Sequence, residues 1–350
     1  MKQIKISLLL LLVMISSCEK ITMEPNPKTD PLSIFNEYSK LIDEKYAMLD
    51  FNKQEEIKKE KDFIRSILTS KTTEVMLFVL LEGLTSILRD GHSALFERLD
   101  GESSMSFSGF VMQGEQDIKD GYVLGIDKDI LDQNYIQKSD IRDILGGKFQ
   151  IGSLLQNKDI GYLRIPSWDI EVSDEEIENI FIELKDTKGL VLDLRDNVGG
   201  DAVVSTKFAS YFTDETIYVG YERFKTGPNY TDFSISKYYL NPAKSVNKYL
   251  KPVMVLTDRK TYSASTTFLY NVDPIEERIK TVGQRSGGGS GIPTDGYLAN
   301  GWYWVLSTSE FIDAKGRHLN DGVDPDIPVV LNLEDKTKDE VIERAMIELQ

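Results

Sequence analysis

The sequence predicts an α/β protein in which a helical front segment and a small β-rich insertion precede a core of alternating strands and helices. Two observations predict the core: the apolar stretches 190–194 and 253–257 are each followed by a helical pattern, at 201–212 and 263–270. Such alternation is typical of a parallel or mixed sheet covered by helices. The third observation is the length of 350 residues, which is ample for a large buried core.

The front segment is predicted to be helical. Asp30 and Pro31 are suited to an N-cap and to the first helical position, and apolar residues then recur at helical spacing. Further helices are expected at 53–68 and 73–89. Because Gly91 is suited to a helix end, His92 is expected in the loop that follows it.

Short apolar stretches separated by Gly and Asp, at 108–112, 121–126 and 149–155, predict the β-rich segment. In the core, a strand at 160–165 precedes Ser173 to Glu176, which has the pattern of a capping box. The expected parts of the chain are a signal peptide at 1–17, a tether at 18–30, a helical subdomain at 31–95, the β-rich segment at 96–157, the core at 158–335 and a final helix at 336–350.

The N-terminus has the pattern of a targeting segment. Lys2 and Lys5 precede an apolar run at 8–15 that is too short to cross a bilayer, and small residues lead to Cys18. This pattern resembles a bacterial lipoprotein signal, with Cys18 as the lipidated first residue; an ordinary secretory leader is the alternative. We therefore expect a lipid-anchored protein of the bacterial cell envelope, periplasmic or on the outer-membrane surface, that contacts the membrane through its anchor only.

The composition excludes several classes of function. A net charge of −16 argues against nucleic acid as a partner, because a polyanion would be repelled. The single cysteine excludes a disulfide framework, and two histidines leave little room for a histidine-rich metal site. We expect no metal and no organic cofactor.

Three segments follow the ends of predicted elements and could carry chemistry. The first, at 193–200, is a polar turn with Gly199 and Gly200 between a strand and a helix, where backbone N–H groups could hold an oxyanion. The alternative is a tight turn that needs glycine for its backbone angles.

The second segment contains Ser263 at a predicted helix N-terminus, where the helix dipole would favour a developing alkoxide and the Ala264 N–H could donate to a substrate oxygen. Serine is also a common N-cap, so capping is the alternative role. The third segment is the loop of His92. Its imidazole could take a proton from a serine, although a loop histidine is also often a surface or capping side chain.

Five segments in this order resemble a known family: DGHS at 90–93, IGYLRI at 160–165, LDLRDNVGG at 192–200, TYSAS at 261–265 and GVDPDI at 322–327. They are similar to the S41 serine peptidases, which include the C-terminal processing proteases and the tricorn core. The resemblance covers most of residues 30–335 and implies a core with the ClpP/crotonase-like β-β-α fold.

The resemblance also implies roles for individual residues. Ser263 would be the nucleophile, and the amides of Ala264 and of Gly199 or Gly200 would be the oxyanion donors. The lysine base of the processing proteases is missing, since no lysine lies between Lys280 and Lys315.

The tricorn-like branch of the family uses a histidine instead, which matches His92. Asp321 would be the group that orients the imidazole, with Asn320 as the alternative. Thr266 stands where the family usually has a glutamate, and residues 107–157 show no recognisable PDZ carboxylate-binding loop.

The expected function is therefore hydrolysis of polypeptide substrates by acyl transfer. A catalytically silent protein that binds peptides or apolar ligands on the same scaffold is the alternative, because the lysine is missing and Thr266 departs from the family. A thioester-processing enzyme of the crotonase type is a third possibility, and it would bind coenzyme A.

Overall fold

The computed structural model describes residues 28–48, 51–97, 105–107, 126–136, 141–332 and 334–350. The expected signal peptide, Cys18, and the strands at 108–112 and 121–125 lie outside the described residues, as does most of the tether and of the segment in which we sought a PDZ loop. No helix in the described part of the chain is long and apolar enough to cross a membrane.

Three helices form the front of the molecule, and two short strands follow them. These elements are α1 (Pro31–Lys45), α2 (Phe51–Ile67), α3 (Glu74–Ser86), β1 (Ala94–Phe96) and β2 (Met105–Phe107). As predicted, Asp30 caps α1, accepting from the Ser33 N–H at 3.2 Å.

The core begins with α4 and ends with α8. Its elements are α4 (Lys128–Asn134), β3 (Ile141–Ile144), β4 (Phe149–Ser153), β5 (Ile160–Arg164), α5 (Asp174–Leu184), β6 (Gly189–Asp193), α6 (Ala202–Ala209), β7 (Ile217–Lys225), β8 (Phe233–Leu240), β9 (Val253–Thr257), α7 (Ala264–Val272), β10 (Ile279–Gly283), β11 (Pro293–Tyr297), β12 (Tyr303–Ser307), β13 (Ser309–Asp313), β14 (Ile327–Pro328) and α8 (Glu340–Glu348). Single 3₁₀ turns follow α6 and α7 at Ser210–Phe212 and Asp273–Ile275.

Within the described residues, a central seven-stranded sheet has the order β14-β10-β9-β6-β5-β4-β3. Strands β14, β10, β9, β6 and β5 run parallel, whereas β4 and β3 join the edge antiparallel. Part of the expected β-rich insertion is therefore an extension of the central sheet. The predicted mixed α/β fold is confirmed, and the capping box that begins α5 is formed by Ser173 and Glu176.

Helices cover both faces of the central sheet, and alternate residues of a strand point to opposite faces. Leu190 and Leu192 of β6 pack into the cluster that includes α5, α6 and α7. Val191, between them, packs with α4 and α8 on the other face. All residues of β5, β6 and β9 are buried. Because both faces of the sheet are covered, β6 and β9 are nearly continuous apolar runs without alternation, and this pattern identified them as strands in the sequence.

The front helices have a separate core that is joined to two strands from late in the chain. Side chains of α1, α2 and α3 pack with Leu95 of β1 and with Trp304 and Leu306 of β12. Strand β1 pairs antiparallel with β12, so that Ala94 lies opposite Val305. This pairing brings the loop before β1, which contains His92, next to the carboxyl-terminal half of the chain.

A further three-stranded sheet, β13-β7-β8, extends from the core. Strand β7 lies between the other two and is antiparallel to both. Phe311 of β13 packs into the core cluster that contains α7. The sheet is thereby fixed beside α7.

Candidate active site

The loops after β6 and β9 lie side by side at the carboxyl ends of these parallel strands, where α/β folds place their functional groups. The Tyr262 N–H donates to the Asn197 carbonyl at 3.0 Å, which joins the two loops directly. The buried Asn197 side chain donates to the Ile165 carbonyl at 2.8 Å and accepts from the Gly199 N–H at 2.9 Å. One side chain therefore fixes the glycine turn against β5.

A second buried side chain, Asp258, links the same loops by hydrogen bonds to backbone N–H groups. Its carboxylate oxygens both lie 3.1 Å from the Asp196 nitrogen, and Oδ1 also accepts from the Lys260 and Thr261 N–H groups. Burial raises the pKa of Asp258 to about 6. Asp258 therefore positions the loop that leads to Ser263.

Ser263 immediately precedes α7 and has φ 55° and ψ −115°, a backbone conformation that non-glycine residues rarely adopt. Its N–H donates to the Gly288 carbonyl at 2.9 Å. Its side chain makes no capping hydrogen bond to α7, so capping does not account for this serine. The hydroxyl lies instead at the positive end of a helix and is directed towards His92.

His92 reaches Ser263 from the front of the molecule. Its Nε2 lies 2.9 Å from the Ser263 Oγ, although the two residues are 171 positions apart in sequence. The turn that carries it is closed by Asp90, whose carboxylate accepts from the His92 N–H at 3.1 Å and from the Ser93 hydroxyl at 2.7 Å. Ser93 in turn accepts from the Ser307 N–H of β12, which anchors the turn to the strand.

The imidazole of His92 is partly buried, and its Nδ1 atom is fully buried. Its ring packs against the Tyr262 ring with centroids 5.0 Å apart. Burial lowers the pKa of His92 below its ordinary value, and the Asp90 charge and the Gly291 carbonyl oppose this shift. Nδ1 is buried and makes no hydrogen bond of normal geometry with the described residues. The ring is thus neutral near pH 7 and able to accept a proton at Nε2.

The structure distinguishes between the two glycines that we considered as oxyanion donors. The Gly199 N–H already donates to Asn197, whereas the N–H groups of Gly200 and Ala264 have no acceptor within the described residues. Gly199 is needed for a different reason: a Cβ at this position would lie 2.7 Å from the Ser263 Cβ. The Gly200 and Ala264 amides are therefore the pair that can receive an oxyanion.

Asp321 does not have the position expected of an orienting group. Its side chain is exposed, and no hydrogen bond joins its carboxylate to His92. Its carbonyl accepts from Arg259 at 3.1 Å. Asn320 contacts the site through its backbone, where its carbonyl accepts from the Gly289 N–H at 2.9 Å. The acidic residue that acts on the imidazole in this structure is Asp90.

A cleft of about 610 Å³ opens in front of Ser263 and His92. One part of its lining is the turn from Gly289 to Pro293, and other parts come from α6, α7, β7 and β8. The glycine run that the sequence shows at 287–291 therefore borders this cleft. Close packing explains three of these glycines. A Cβ would lie 2.0 Å from the Asn320 carbonyl oxygen at Gly288, 2.2 Å from the Tyr262 ring at Gly289 and 2.4 Å from the Ser309 carbonyl oxygen at Gly291.

Three residues that hold the loops of this site had no predicted role, namely Asn197, Asp258 and Asp90, although all three lie within the segments that we singled out. Each has a short polar side chain beside a turn, which is the pattern of a residue that holds backbone N–H groups. Glu222, which lines the cleft, was not predicted either, because it lies in none of the motifs.

Known proteins resemble this chain in both sequence and structure. Residues 159–329 match the model of peptidase family S41. A crystal structure of a candidate peptidase from Parabacteroides merdae ATCC 43184 is 29% identical to this chain, with a TM-score of 0.76 over 92% of this chain and 97% of the other.

Two more distant structures share the fold. Mature CPAF complexed with lactacystin is 14% identical, with a TM-score of 0.63 over 91% of this chain and 97% of that one. The tricorn protease is 17% identical, with a TM-score of 0.51 over 91% of this chain and 36% of the larger protein. Residues 159–329 thus resemble peptidase family S41, a family of serine hydrolases that act on polypeptides, and the resemblance predicted from the sequence is confirmed.

Proposed function

We propose that this protein is an active serine peptidase that hydrolyses peptide bonds through Ser263, with His92 as general base. The observation that carries the proposal is the 2.9 Å separation of the His92 Nε2 and the Ser263 Oγ. This is hydrogen-bond distance, which a general base needs in order to remove the hydroxyl proton. It accounts for the absence of a lysine at the usual family position, because the histidine supplies the base.

The reaction follows from the positions of these groups. Nε2 takes the Ser263 proton while Oγ attacks the substrate carbonyl, and the Gly200 and Ala264 N–H groups donate to the oxyanion. The imidazolium then protonates the leaving amine, and water hydrolyses the acyl-enzyme by the same route. Asp90 stabilises the imidazolium electrostatically, since its charge favours the protonated ring.

A fluorophosphonate probe, which reacts with activated serines, tests this proposal. It should label the wild-type protein and the Ser66→Ala variant, in which an exposed serine of α2 is removed. It should not label Ser263→Ala, and labelling of His92→Ala should be strongly reduced. If the wild-type protein is not labelled and cleaves no peptide library, the active-peptidase proposal is wrong and a silent binding protein remains.

We propose further that the enzyme is anchored in the bacterial cell envelope through lipid on Cys18. The proposal is supported by the charged, apolar and small-residue pattern that ends at this cysteine. In cells fed a labelled fatty acid, the wild-type protein should incorporate label and fractionate with membranes. Cys18→Ser should lose both properties, and membrane association of an unlabelled Cys18→Ser protein would contradict the proposal.

A further inference from the structure

Glu222 of β7 is a buried carboxylate in the lining of the cleft that contains Ser263 and His92. The residue is 5% exposed. It accepts hydrogen bonds from the hydroxyls of Ser309 on β13 and Tyr238 on β8. Strand β7 is central in its sheet, so the position of this side chain is fixed on both sides.

No cationic side chain among the described residues forms an ion pair with Glu222. The nearby cations have other partners: the Arg223 Nε donates to Glu310 at 2.6 Å, and Lys207, which also lines the cleft, pairs with Asp174 at 2.8 Å. Burial raises the pKa of Glu222, as expected for a carboxylate without a counter-ion. Such a group is costly to bury unless a ligand supplies the charge that it lacks.

Three tyrosines line the cleft with Glu222, and two of them, Tyr238 and Tyr270, are considered for a role beside the carboxylate. The Tyr270 ring is fixed by stacking on Phe311, with centroids 3.7 Å apart. Aromatic rings beside a carboxylate attract cations, because the ring faces and the carboxylate are both electronegative. The rings also offer apolar surface to the methylene groups of a long basic side chain.

The distance to the nucleophile is suitable for a substrate side chain. Tyr270 lies on α7, the helix that follows Ser263, seven positions after the serine. Seven residues span about 10 Å of helix axis. A lysine or arginine side chain that extends from a peptide backbone near the Ser263 hydroxyl would cover much of this distance.

We propose that Glu222, Tyr238 and Tyr270 form a subsite that binds a lysine or arginine side chain of the polypeptide substrate. This inference rests on the proposed peptidase function. The proposed substrates are peptides with a basic residue close to the scissile bond. The basic residue can precede or follow that bond, provided that its side chain enters the cleft. Glu222 determines specificity here and takes no part in bond cleavage.

The subsite is tested with sets of peptides that differ in one side chain only. Each set carries lysine, its uncharged analogue norleucine or Nε-acetyl-lysine at one position, and the position is moved along the peptide. At one position the lysine peptide should have a kcat/KM about tenfold above the norleucine peptide, a ratio typical of a hydrogen bond to a charged group. Acetylation should remove the advantage.

Glu222→Gln should reduce the ratio of lysine to norleucine to below about threefold. Glu215→Gln is the matched control, since Glu215 is exposed just before the same strand and its loss changes the net charge equally; its ratio should equal that of the wild type. The inference is overturned if lysine brings no advantage at any position, or if Glu222→Gln folds and keeps the advantage. If Glu222→Gln does not fold, the acetyl-lysine comparison in the wild-type protein decides.

Binding to Ser263→Ala separates this inference from the proposed function. Fluorescence anisotropy should show that this variant binds the lysine peptide about tenfold more tightly than the norleucine peptide. If the wild type cleaves no peptide but this preference is present, the peptidase proposal fails and the subsite stands. If peptides are cleaved but both bind equally, the subsite is wrong and the peptidase proposal stands.

Discussion

The surroundings of the two histidines differ in a way that shows what makes an imidazole useful for catalysis. His318 has a carboxylate partner, with its Nδ1 2.5 Å from the Glu310 Oε1, but its side chain is 58% exposed. His92 has no such carboxylate on its ring, yet it is partly buried and lies at hydrogen-bond distance from a hydroxyl at a helix N-terminus. A histidine–carboxylate pair alone therefore does not indicate an active site. The indication here is a histidine beside a hydroxyl at the positive end of a helix dipole.

The largest expected effect tests directly whether the two histidines differ in function. His92→Ala should lower kcat for peptide hydrolysis by about 10³-fold or more, because the serine loses its base. His318→Ala should retain kcat within about twofold, since His318 does not line the cleft that contains Ser263. Both variants should show melting temperatures near that of the wild type. Equal losses of activity in the two variants would refute the assignment of His92.

The pH profile sharpens the same comparison. Only neutral imidazole accepts the serine proton, so kcat/KM should rise with pH and reach half its maximum below pH 6.5, because burial lowers the pKa of His92. Below that midpoint the rate should fall about tenfold per pH unit. His318→Ala should keep the same midpoint. A profile that is flat from pH 5 to 9 would show that neither histidine is the base.

The pH dependence of stability tests the environment of Asp258, the residue that positions the loop leading to Ser263. The folded-state pKa of about 6 lies above the ordinary value of 3.8, so the native state binds more protons between these values. The contribution of Asp258 to the free energy of unfolding should therefore decrease as pH rises from about 4 to 6, by up to about 3 kcal/mol, and stay constant above.

Urea unfolding of the wild type and of Asp258→Asn at several pH values measures this contribution as a difference. As pH rises from about 4 to 6, the free energy of unfolding of the wild type should decrease relative to that of Asp258→Asn. Asp214→Asn, at an exposed position, is the control and should show no such trend. A constant difference between the wild type and Asp258→Asn would mean that Asp258 does not titrate in this range.

The smallest effect is expected at Asp321. Because its carboxylate is exposed and has no bond to His92, Asp321→Asn should change kcat by less than about twofold. Asp90→Asn should reduce kcat more strongly, since Asp90 both closes the turn of His92 and favours the charged ring. A large loss in Asp321→Asn would restore the orienting role that we first assigned to it.

The parts of this molecule that local patterns encode were predictable from the sequence. The buried strands β6 and β9 are continuous apolar runs, and the capping box of α5 is a local motif, so both were identified correctly. The antiparallel edge formed by β3 and β4 was not, because their alternation does not show which sheet they join.

The site was predictable to the extent that single residues stand out. With two histidines in the chain, His92 was an early candidate, but its contact with Ser263 depends on the pairing of β1 with β12. The orienting group could not be identified from the sequence. Asp321 was chosen because it precedes the GVDPDI segment, where the match to the family is loose. The position of Asp90 near the imidazole depends on the three-dimensional turn that contains His92. The difference between Gly199 and Gly200 depends on the Asn197 side chain, which sequence spacing does not reveal.

The pairing of β1 with β12 has a consequence for the timing of activity. His92, the general base of the proposed mechanism, lies in the loop that follows the front helices, whereas Ser263 lies in the loop after the central strand β9. Strand β12, which pairs with β1 next to His92, is synthesised after both. A nascent or truncated chain without β12 has the serine but lacks the strand pairing that anchors the loop of His92. If the proposed peptidase activity is correct, hydrolysis would begin only when the fold is nearly complete, and neighbouring polypeptides would not be cleaved before that stage.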